Sequence, residues 1–334
     1  MDKSYAKYGF ALQSGNTAAS APAVTFLASG DSAGIDSSTS TEAVALTNGK
    51  RDTTVDRYIA ASDSSAAVTT IATADMLGLL LYAALGAIET TGDSAPYAHS
   101  ITMGESIPTL SFFQQVGASN AALQRLSGCK LDSLAIEAEG TKPPSIQMTF
   151  NGTVAEWLSA TAWSGPAFDV SDGYFKTIDA EVLFSLTDGT AAEPPSSVVL
   201  SKVSFNISNS VAKGTRLGKV EPHKQVEGAA TVTCSLEGTC DDTTLYRAVK
   251  TGSTSGTTIA SAIVMGALQV TFPHSVEDWD LVVKLGAVPW TIEAMSASTE
   301  GGPFDLKLAT DGAVSVDGTS IEFILENDVE SYTS

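Results

Sequence analysis

The sequence predicts a mainly β protein, built from antiparallel β-sandwich or barrel units with a flanking α-helix. Apolar and polar residues alternate with a period of two along many short segments, as in strands with one buried and one solvated face. Aromatic residues make up only 7% and charged residues 17% of the 334 residues. Ser, Thr, Ala, Gly and Val fill the remainder, which is typical of short strands joined by turns of small residues.

The first 72 residues are rich in Ala, Ser and Thr and show weak periodicity. We expect an arm here, a strand around the segment AVTFLA, and long loops. On this basis we place the N-terminal arm and a first β-sandwich unit at 1–170. A second β unit, with an acidic C-terminal region, is placed at 171–334.

An apolar helix is predicted at about 74–85. Thr73 or Asp75 can cap its first turn, and Gly86 can end it. Apolar residues occupy nearly all of its faces, so the helix needs cover nearly all round. We therefore expect it to pack on the sandwich or across a subunit boundary, with Leu80 as a candidate contact residue.

The segments after this helix alternate with strand periodicity, and each is expected to bury its apolar face. Their apolar members are Ile136; Ile146, Met148, Phe150; Val182, Phe184, Leu186; Val203, Phe205, Ile207; Val232, Cys234, Leu236; Leu268, Val270, Phe272; and Ile321, Phe323. The segment YAHSITMGESIPTLSFF at 97–113 is predicted to form a hairpin, with Gly104 in the turn and Pro108 at the start of a strand. His99 is then a structural strand residue.

A weak internal repeat connects the two halves. CKLDSLAIEAE followed by SIQMTFNGT, at 129–153, parallels SKVSFNISNSV followed by ATVTCSLEGT, at 201–239. Each second strand ends in Gly-Thr and leads into a short helical candidate, VAEWLSATAW or DDTTLYRAVK. Two explanations stay open: a tandem duplication of one β unit, or the chance recurrence of a strand pair.

Charge limits the classes of partner. Eighteen basic residues face 38 acidic ones, giving a formal net charge of −20. This argues against tight binding to nucleic acid or to an anionic membrane, since Lys and Arg supply that affinity. It does not exclude a protein that stands close to DNA without holding it. One basic patch contrasts with this surplus, in the segment VAKGTRLGKVEPHK: Lys213, Arg216, Lys219 and Lys224. It is either a solvated hairpin or a contact onto an acidic neighbouring subunit.

The cysteines and the apolar segments indicate a protein made and assembled in the cytoplasm. Cys129, Cys234 and Cys240 are odd in number and have no CxxC spacing, so we expect reduced thiols. The N-terminal segment lacks the apolar region of a signal peptide. The longest apolar run, MLGLLLYAALGAI at 76–88, is too short to span a bilayer.

No motif predicts catalysis, a metal or a cofactor. GDSAG at 30–34 fits the G-x-S-x-G pattern around Ser32, but no histidine precedes it and a polar loop, not a helix, follows it. His99, His223 and His274 are scattered, and a zinc site formed by His223, Cys234 and Cys240 is disfavoured because Cys234 lies on an apolar strand face. We therefore predict that the chain is not an enzyme.

The order of these segments resembles that of the tail tube proteins (major tail proteins) of long-tailed bacteriophages. The helix DMLGLLLYAALGAIETTG is followed by PYAHSIT, IPTLSFF, SGCKLDSLAIEAE and SIQMTFNG. The later run LSKVSFNISNSV, VEGAATVTCSLEGT and LYRAV is similar to that family's strand-loop-strand-helix run. KYGFALQSGNTAASAPAVTFLAS is similar to its opening. The resemblance covers most of 8–280, whereas the Ser/Thr-rich segment at 30–70 and the acidic C-terminal region depart from it.

The resemblance implies a structural protein of the virion tail. Such proteins form rings of six-fold or pseudo-six-fold symmetry, stacked into a tube that encloses the tape-measure protein and later conducts DNA. Tail terminator and distal tail proteins are the implied further partners, DNA passes without specific binding, and no membrane is involved. If the repeat is a duplication of the tail tube fold, rings are trimers; otherwise they are hexamers.

Acidic residues on the polar faces of strands are the candidates for lining the channel, where they would keep DNA from adhering. They are Glu137, Glu139, Glu237, Glu322 and Glu326. An alternative is that these residues lie on the outer surface and serve solubility alone. The alternative function is a secreted or cell-surface self-assembling β protein, of the S-layer or adhesin kind, against which the missing signal peptide counts.

Overall fold

A computed structural model describes residues 6–15, 17–29, 32, 34–45, 54–117, 122–159, 173–186, 190–261, 263–293, 303–315 and 319–332. Within these residues the chain is mainly β, as predicted, with antiparallel sheets arranged as a sandwich and a flanking helix. Neither helix in this part of the chain is long and apolar enough to cross a membrane.

The larger sheet has 12 strands, and every pairing in it is antiparallel. Its strands, in chain order, are β1 (Ala6–Leu12), β2 (Val24–Leu27), β3 (Gly34–Ala45), β4 (Thr54–Ile71), β7 (Leu110–Val116), β8 (Ala122–Glu139), β9 (Ser145–Gly152), β10 (Val154–Leu158), β12 (Val198–Ser208), β15 (Thr231–Cys240), β18 (Thr291–Ile292) and β19 (Phe304–Ala309). The long β8 holds the sheet together, because it pairs with β7, β9, β10 and β12.

The second sheet has six strands, which are β5 (Gly86–Thr91), β6 (Tyr97–Met103), β11 (Glu181–Ser185), β16 (Met265–Pro273), β17 (Asp280–Pro289) and β20 (Glu322–Asn327). They lie in the order β11-β16-β17-β20-β6-β5. A separate hairpin pairs β13 (Ala212–Gly214) with β14 (Lys224–Val226). Strands from both sides of the predicted division at 170/171 share both large sheets. The division itself lies in a segment outside the described residues, and it stays a prediction.

Helix α1 (Ala74–Leu85) coincides with the predicted helix. Thr73 is its N-cap residue, although its side chain makes no capping hydrogen bond, and Gly86 ends it in the left-handed conformation at φ 90°. The apolar faces explain its position, because ten of its twelve residues are buried against β5, β6, β8 and β20. Helix α2 (Thr244–Thr251) confirms the helical prediction for DDTTLYRAVK.

The buried apolar residues that the structure describes form one hydrophobic core between the two sheets and around α1. The inner face of the larger sheet supplies residues such as Ile136, Phe150 and Phe205, while the second sheet supplies Phe272 and Phe323. These are the apolar members of the alternating segments, so the period-two pattern correctly predicted which face of each strand is buried. Full burial of such a side chain stabilises the fold by about 1.5–3 kcal/mol.

Three local predictions were wrong. The segment 97–113 is not a hairpin: β6 pairs with β5 and β20 in the second sheet, and β7 pairs with β1 and β8 in the larger one. The connection through Gly104 therefore crosses between the sheets. Val154–Leu158, predicted helical, is strand β10, because it can pair with β8. The predicted long loops before residue 72 include the long hairpin of β3 and β4.

Candidate functional site

The solvated face of the larger sheet is continuous and polar from β4 to β19. Its side chains are registered across the strands and alternate with the buried ones. They are Ser65, Ala67 and Thr69; Ser145, Gln147 and Thr149; Ser133, Ala135, Glu137 and Glu139; Lys202, Ser204 and Asn206; Thr233, Ser235 and Glu237; and Asp305, Lys307 and Ala309. Small hydroxyl, amide and methyl groups dominate, so this face offers no large apolar patch for a tightly bound partner.

A row of alternating charge crosses this polar face. Glu139 is paired with Lys202, Lys202 with Glu237, and Glu237 with Lys307 on successive strands. Opposite charges directly across a strand pair are favourable. The acids of this face are therefore partly balanced by lysines, a feature that the sequence analysis missed because the strand order was unknown.

Lys202 is at the centre of this arrangement. Its Nζ lies 2.8 Å from Glu137 Oε1, and this hydrogen bond raises the pKa of Lys202 above its usual 10.5. Partial burial acts in the opposite direction, and the charges of Glu237 and Glu139 add to the rise. Lys202 therefore stays protonated, and its charge attracts the glutamates of the two neighbouring strands, β8 and β15.

The five acidic candidates do not lie together. Glu137, Glu139 and Glu237 share the polar face of the larger sheet, whereas Glu322 and Glu326 lie on β20 in the second sheet. Glu322 accepts a hydrogen bond of 2.7 Å from the Ser100 hydroxyl and lies 3.8 Å from Lys284 Nζ. One surface can therefore present at most the first three residues or the last two.

Two hairpins protrude beside the larger sheet. Strand β4 pairs with β9 from Ser64 to Ile71. The part of β4 before Ser64 pairs with β3 as a two-stranded ribbon with mostly exposed side chains. The hairpin of β13 and β14 lies against its base, where the Ser62 amide donates to the Val220 carbonyl at 2.9 Å. Lys213 forms an ion pair with Asp63 and donates to the Ser64 carbonyl at 3.0 Å.

The basic patch is therefore divided. Lys213 contacts an acid of its own chain, while Arg216, Lys219 and Lys224 are exposed. Leu217, at the tip of the loop between β13 and β14, is fully exposed. The three remaining cations and this apolar tip can contact another molecule. Leu80, the other predicted contact residue, is completely buried inside the chain and packs on the sandwich, not at an exposed boundary.

His99, His274 and Ser32 have structural surroundings, whereas His223 is exposed. His99 is completely buried, with its Nε2 3.0 Å from Asn327 Oδ1 and its Nδ1 2.9 Å from Thr90 Oγ1. His274 packs between the rings of Phe175 and Trp279. The Ser32 hydroxyl accepts a hydrogen bond of 3.1 Å from the Thr69 amide. His99 is therefore a structural strand residue, as predicted.

The three thiols are free and buried, and burial raises the pKa of Cys129 and of Cys234 to about 12. Among the described residues, no group of three His, Cys, Asp or Glu side chains is placed to hold a metal ion. In the described part of the chain, the polar sheet face and the hairpins beside it form an extended surface that is suited to contact with another molecule.

Comparison with known protein families identifies the family of this chain. A family model described as "Phage tail tube protein" matches residues 8–323, which is nearly the whole chain. A search of curated proteins finds no significant match. The match includes the Ser/Thr-rich segment at 30–70 and most of the acidic C-terminal region. These are the two regions whose segments depart from the resemblance to tail tube proteins. This chain belongs to the phage tail tube protein family, whose members are structural components of the virion tail.

Proposed function

We propose that copies of this chain form rings, three or six to a ring, that stack into the tail tube, with the polar face of the larger sheet lining the lumen. The tube encloses the tape-measure protein and later conducts DNA. The observation that carries this proposal is the continuous polar face, registered over six strands from β4 to β19. A water-filled channel requires such a face. The other face of the same sheet is buried in the core and therefore cannot line a channel.

The chemistry of this face suits the passage of DNA without binding. DNA is a polyanion with about one charge per 1.7 Å of axis, and proteins hold it mainly through Lys and Arg. On this face Lys202 and Lys307 are each adjacent to glutamates. Screening acts over about 8 Å at physiological salt, so passing phosphates meet a lysine together with its neighbouring acids. The net effect is weak repulsion and no fixed contact.

The protruding hairpins support stacking of one ring on the next. A two-stranded ribbon is at best marginally stable alone in water, so the ribbon of β3 and β4 gains from a covering surface. Tyr58 and Ile59 on this ribbon are each 51% exposed. The exposed cations beside Leu217, which are Arg216, Lys219 and Lys224, favour contact with an acidic surface. Another copy of this chain, with its net charge of −20, offers such a surface. Both hairpins are therefore proposed to contact further copies of this chain.

The remaining partners and the place of assembly follow from the tail. Tail terminator and distal tail proteins would cover the two ends of the tube, and assembly would take place in the host cytoplasm. Three buried free thiols are compatible with a reducing compartment. Neither catalysis nor a cofactor has a part in this function.

Electron microscopy of the purified protein tests the proposal. We expect hollow rings or tubes with a stain-filled bore. Native mass spectrometry should give assemblies whose masses correspond to multiples of three or six chains. A protein that stays monomeric over the whole accessible concentration range, or forms flat sheets without a bore, would contradict the proposed function.

A further inference from the structure

The connection between β12 and β15 forms an arm that lies against the ribbon of β3 and β4. This arm spans 209–228 and contains the hairpin of β13 and β14. The Asn151 side-chain amide on β9 donates to the Val211 carbonyl at 3.3 Å, near the start of the arm. Further along, the Val220 carbonyl accepts a hydrogen bond of 2.9 Å from the Ser62 amide of β4. The arm therefore covers a part of the ribbon that lies beyond the pairing of β4 with β9.

The base of the arm is firmly attached to the larger sheet. Asn209 is buried, and its side-chain nitrogen donates to one carbonyl of α1 and one of β8, both at 3.0 Å. Asp132 on β8 accepts from the Asn209 amide at 2.8 Å and, through its Oδ1, from the Val211 amide at 2.7 Å. At the other end of the arm, Glu227 forms an ion pair with Lys130, whose side chain is only 12% exposed. Both chain segments at the base are thus fixed by partly or fully buried polar groups.

The outer part of the arm is held on the ribbon by more exposed contacts. Besides the hydrogen bond between Ser62 and Val220, the Lys213 ammonium pairs with Asp63 and donates to the Ser64 carbonyl at 3.0 Å. The Asp63 side chain is 63% exposed, and ion pairs with such exposed partners contribute little to stability. The hairpin can therefore leave the ribbon while the base of the arm stays in place.

Gln225 on β14 opposes this closed position of the arm. Its side chain is buried, whereas its neighbours Lys224 and Val226 are exposed. Neither its Oε1 nor its Nε2 has a hydrogen-bond partner among the described protein atoms. A buried amide without partners is unfavourable, and lifting the hairpin from the ribbon would return it to water. The closed arm therefore carries a built-in cost that the open arm does not.

The arm and the ribbon are also the two elements that the proposed function assigns to contacts between copies. Within one chain they bind each other at Ser62 and Lys213, beside Tyr58, Ile59 and Leu217, which stay exposed. A further copy cannot contact the covered part of the ribbon while the arm lies there. The contact inside the chain therefore competes with the contacts between copies.

We infer that the arm is an autoinhibitory strap: its hairpin lies on the ribbon of its own chain before assembly and leaves the ribbon when copies stack. The inference rests on the proposed function and adds a regulatory step to it. Stacking must first replace the contacts of Val220 with Ser62 and of Lys213 with Asp63, which are exposed enough to be exchanged. The fixed base keeps the released hairpin beside the sheet. The strap thus sets the protein concentration that assembly requires.

A reversible cross-link tests the strap. Ser62→Cys with Val220→Cys places two thiols where the arm meets the ribbon, and the three native cysteines are buried and give little background. Oxidised below the concentration at which the wild type assembles and then concentrated, this variant should form no rings or tubes, and a reductant should restore assembly. Ala212→Cys with Val226→Cys is the matched control, since these exposed residues are opposite each other within the arm. When it is oxidised, this control should assemble as the wild type does.

Two substitutions should shift the concentration required for assembly in opposite directions. A closed strap reduces the fraction of chains that is competent to assemble, so weakening it should lower this concentration. Lys213→Gln removes the ion pair with Asp63 and should lower it by about two- to fivefold. Lys224→Gln removes the same charge from an exposed side chain and should not lower it. Gln225→Met replaces the unpaired amide by an apolar group of similar length and should raise it.

The outcomes separate this inference from the proposed function. Rings or tubes formed by the oxidised Ser62 and Val220 variant at the same concentration as the wild type would overturn the inference and leave the function standing. So would failure of this disulfide to form in the free chain, or equal effects of Lys213→Gln and Lys224→Gln. A wild type that forms no assemblies would overturn both. Assembly that the cross-link blocks, that reduction restores and that the control leaves unchanged would support the strap.

Discussion

His99 and Asn327 are joined inside the second sheet: the His99 Nε2 lies 3.0 Å from the Asn327 Oδ1, although the residues are 228 positions apart. The amide nitrogen of Asn327 donates to the Ala74 carbonyl and to the Tyr332 hydroxyl, and its oxygen also accepts from the Val329 amide. Since that oxygen is an acceptor, the neutral imidazole carries its proton on Nε2. This network ties β6, β20 and the start of α1 to the C-terminal segment.

The first prediction concerns pH. Burial lowers the pKa of His99 below 6.5, against the opposing effect of its hydrogen bond with Asn327. The unfolded chain therefore binds more protons than the folded one just below that pH. Stability is fully present above about pH 6.5 and falls as the pH drops towards the lowered value. Thermal unfolding between about pH 5 and 8 should show this loss in the wild type and a smaller one in His99→Gln.

A matched control is His223→Gln, because His223 is exposed in the loop before β14. This variant should keep the pH dependence of the wild type. If His99→Gln and wild type lose stability equally over this range, proton binding at His99 does not limit the acid stability of the fold.

The second prediction concerns the contact between Gly78 on α1 and Tyr332. A Cβ on Gly78 would lie 2.2 Å from the Tyr332 ring, which is too close, and Tyr332 is itself buried. Gly78→Ala should therefore destabilise the protein by displacing the C-terminal segment, and Tyr332→Ala should destabilise it by leaving a cavity. In the double variant the clash is absent, so its loss of unfolding free energy should be smaller than the sum of the two single losses.

Chemical denaturation of the wild type and these three variants measures the coupling. Coupled neighbours typically differ from additivity by about 0.5–3 kcal/mol. Additive losses, with no coupling beyond the error of the measurement, would show that the helix and the C-terminal segment do not pack as described.

The third prediction concerns the buried helix. Leu80 is completely buried, so Leu80→Ala should cost about 2–5 kcal/mol of unfolding free energy. Leu80→Asp should yield insoluble or unassembled protein, because it buries an unpaired carboxylate. Leu217→Asp makes the same change at a fully exposed leucine and should leave the soluble yield and the unfolding temperature unchanged. Normal solubility and assembly of Leu80→Asp would contradict the packing of α1.

How far the sequence could predict the fold differs from element to element. The helix at 74–85 and the buried faces of strands such as β12 and β15 were predicted because their periodicity is strong and local. The hairpin of β3 and β4 was missed because its small polar side chains carry no apolar alternation. The crossing at Gly104 was missed because turn residues do not reveal which sheet a strand joins.

The candidate site was predictable only in part. Alternation placed Glu137 and Glu139 on a solvated face, and the structure agrees. Their pairing with Lys202 depends on β8 lying next to β12, a contact between residues far apart in the chain. The basic loop was identified as a charged patch, but its contact with Asp63 depends in the same way on tertiary structure.

The fourth prediction concerns DNA in transit. Replacing Glu137 and Glu139 by Lys places two further lysines beside Lys202, while Glu237 stays opposite it. Because these side chains are partly exposed, each contact that is lost or turned repulsive should cost about 1 kcal/mol or less of unfolding free energy. Virions carrying both lysines should release DNA more slowly at low salt and recover at high salt, since phosphate contacts weaken with ionic strength.

The same exchange at Glu181 and Glu326, on the second sheet, provides the control. DNA release should be unchanged there if the larger sheet lines the bore. Normal release by the Glu137 and Glu139 variant at low salt would show that these two glutamates lie outside the channel. Slow release by the control variant alone would assign the lumen to the second sheet.

The central claim is that this chain forms a tube whose lumen is the polar face of the larger sheet. A helical reconstruction from electron micrographs of assembled tubes tests it most directly. We predict that Glu137, Lys202 and Glu237 point into the bore and that β20 lies outside the larger sheet. A reconstruction in which β20 lines the bore, or in which the polar face is packed against the outside of another ring, would contradict the account.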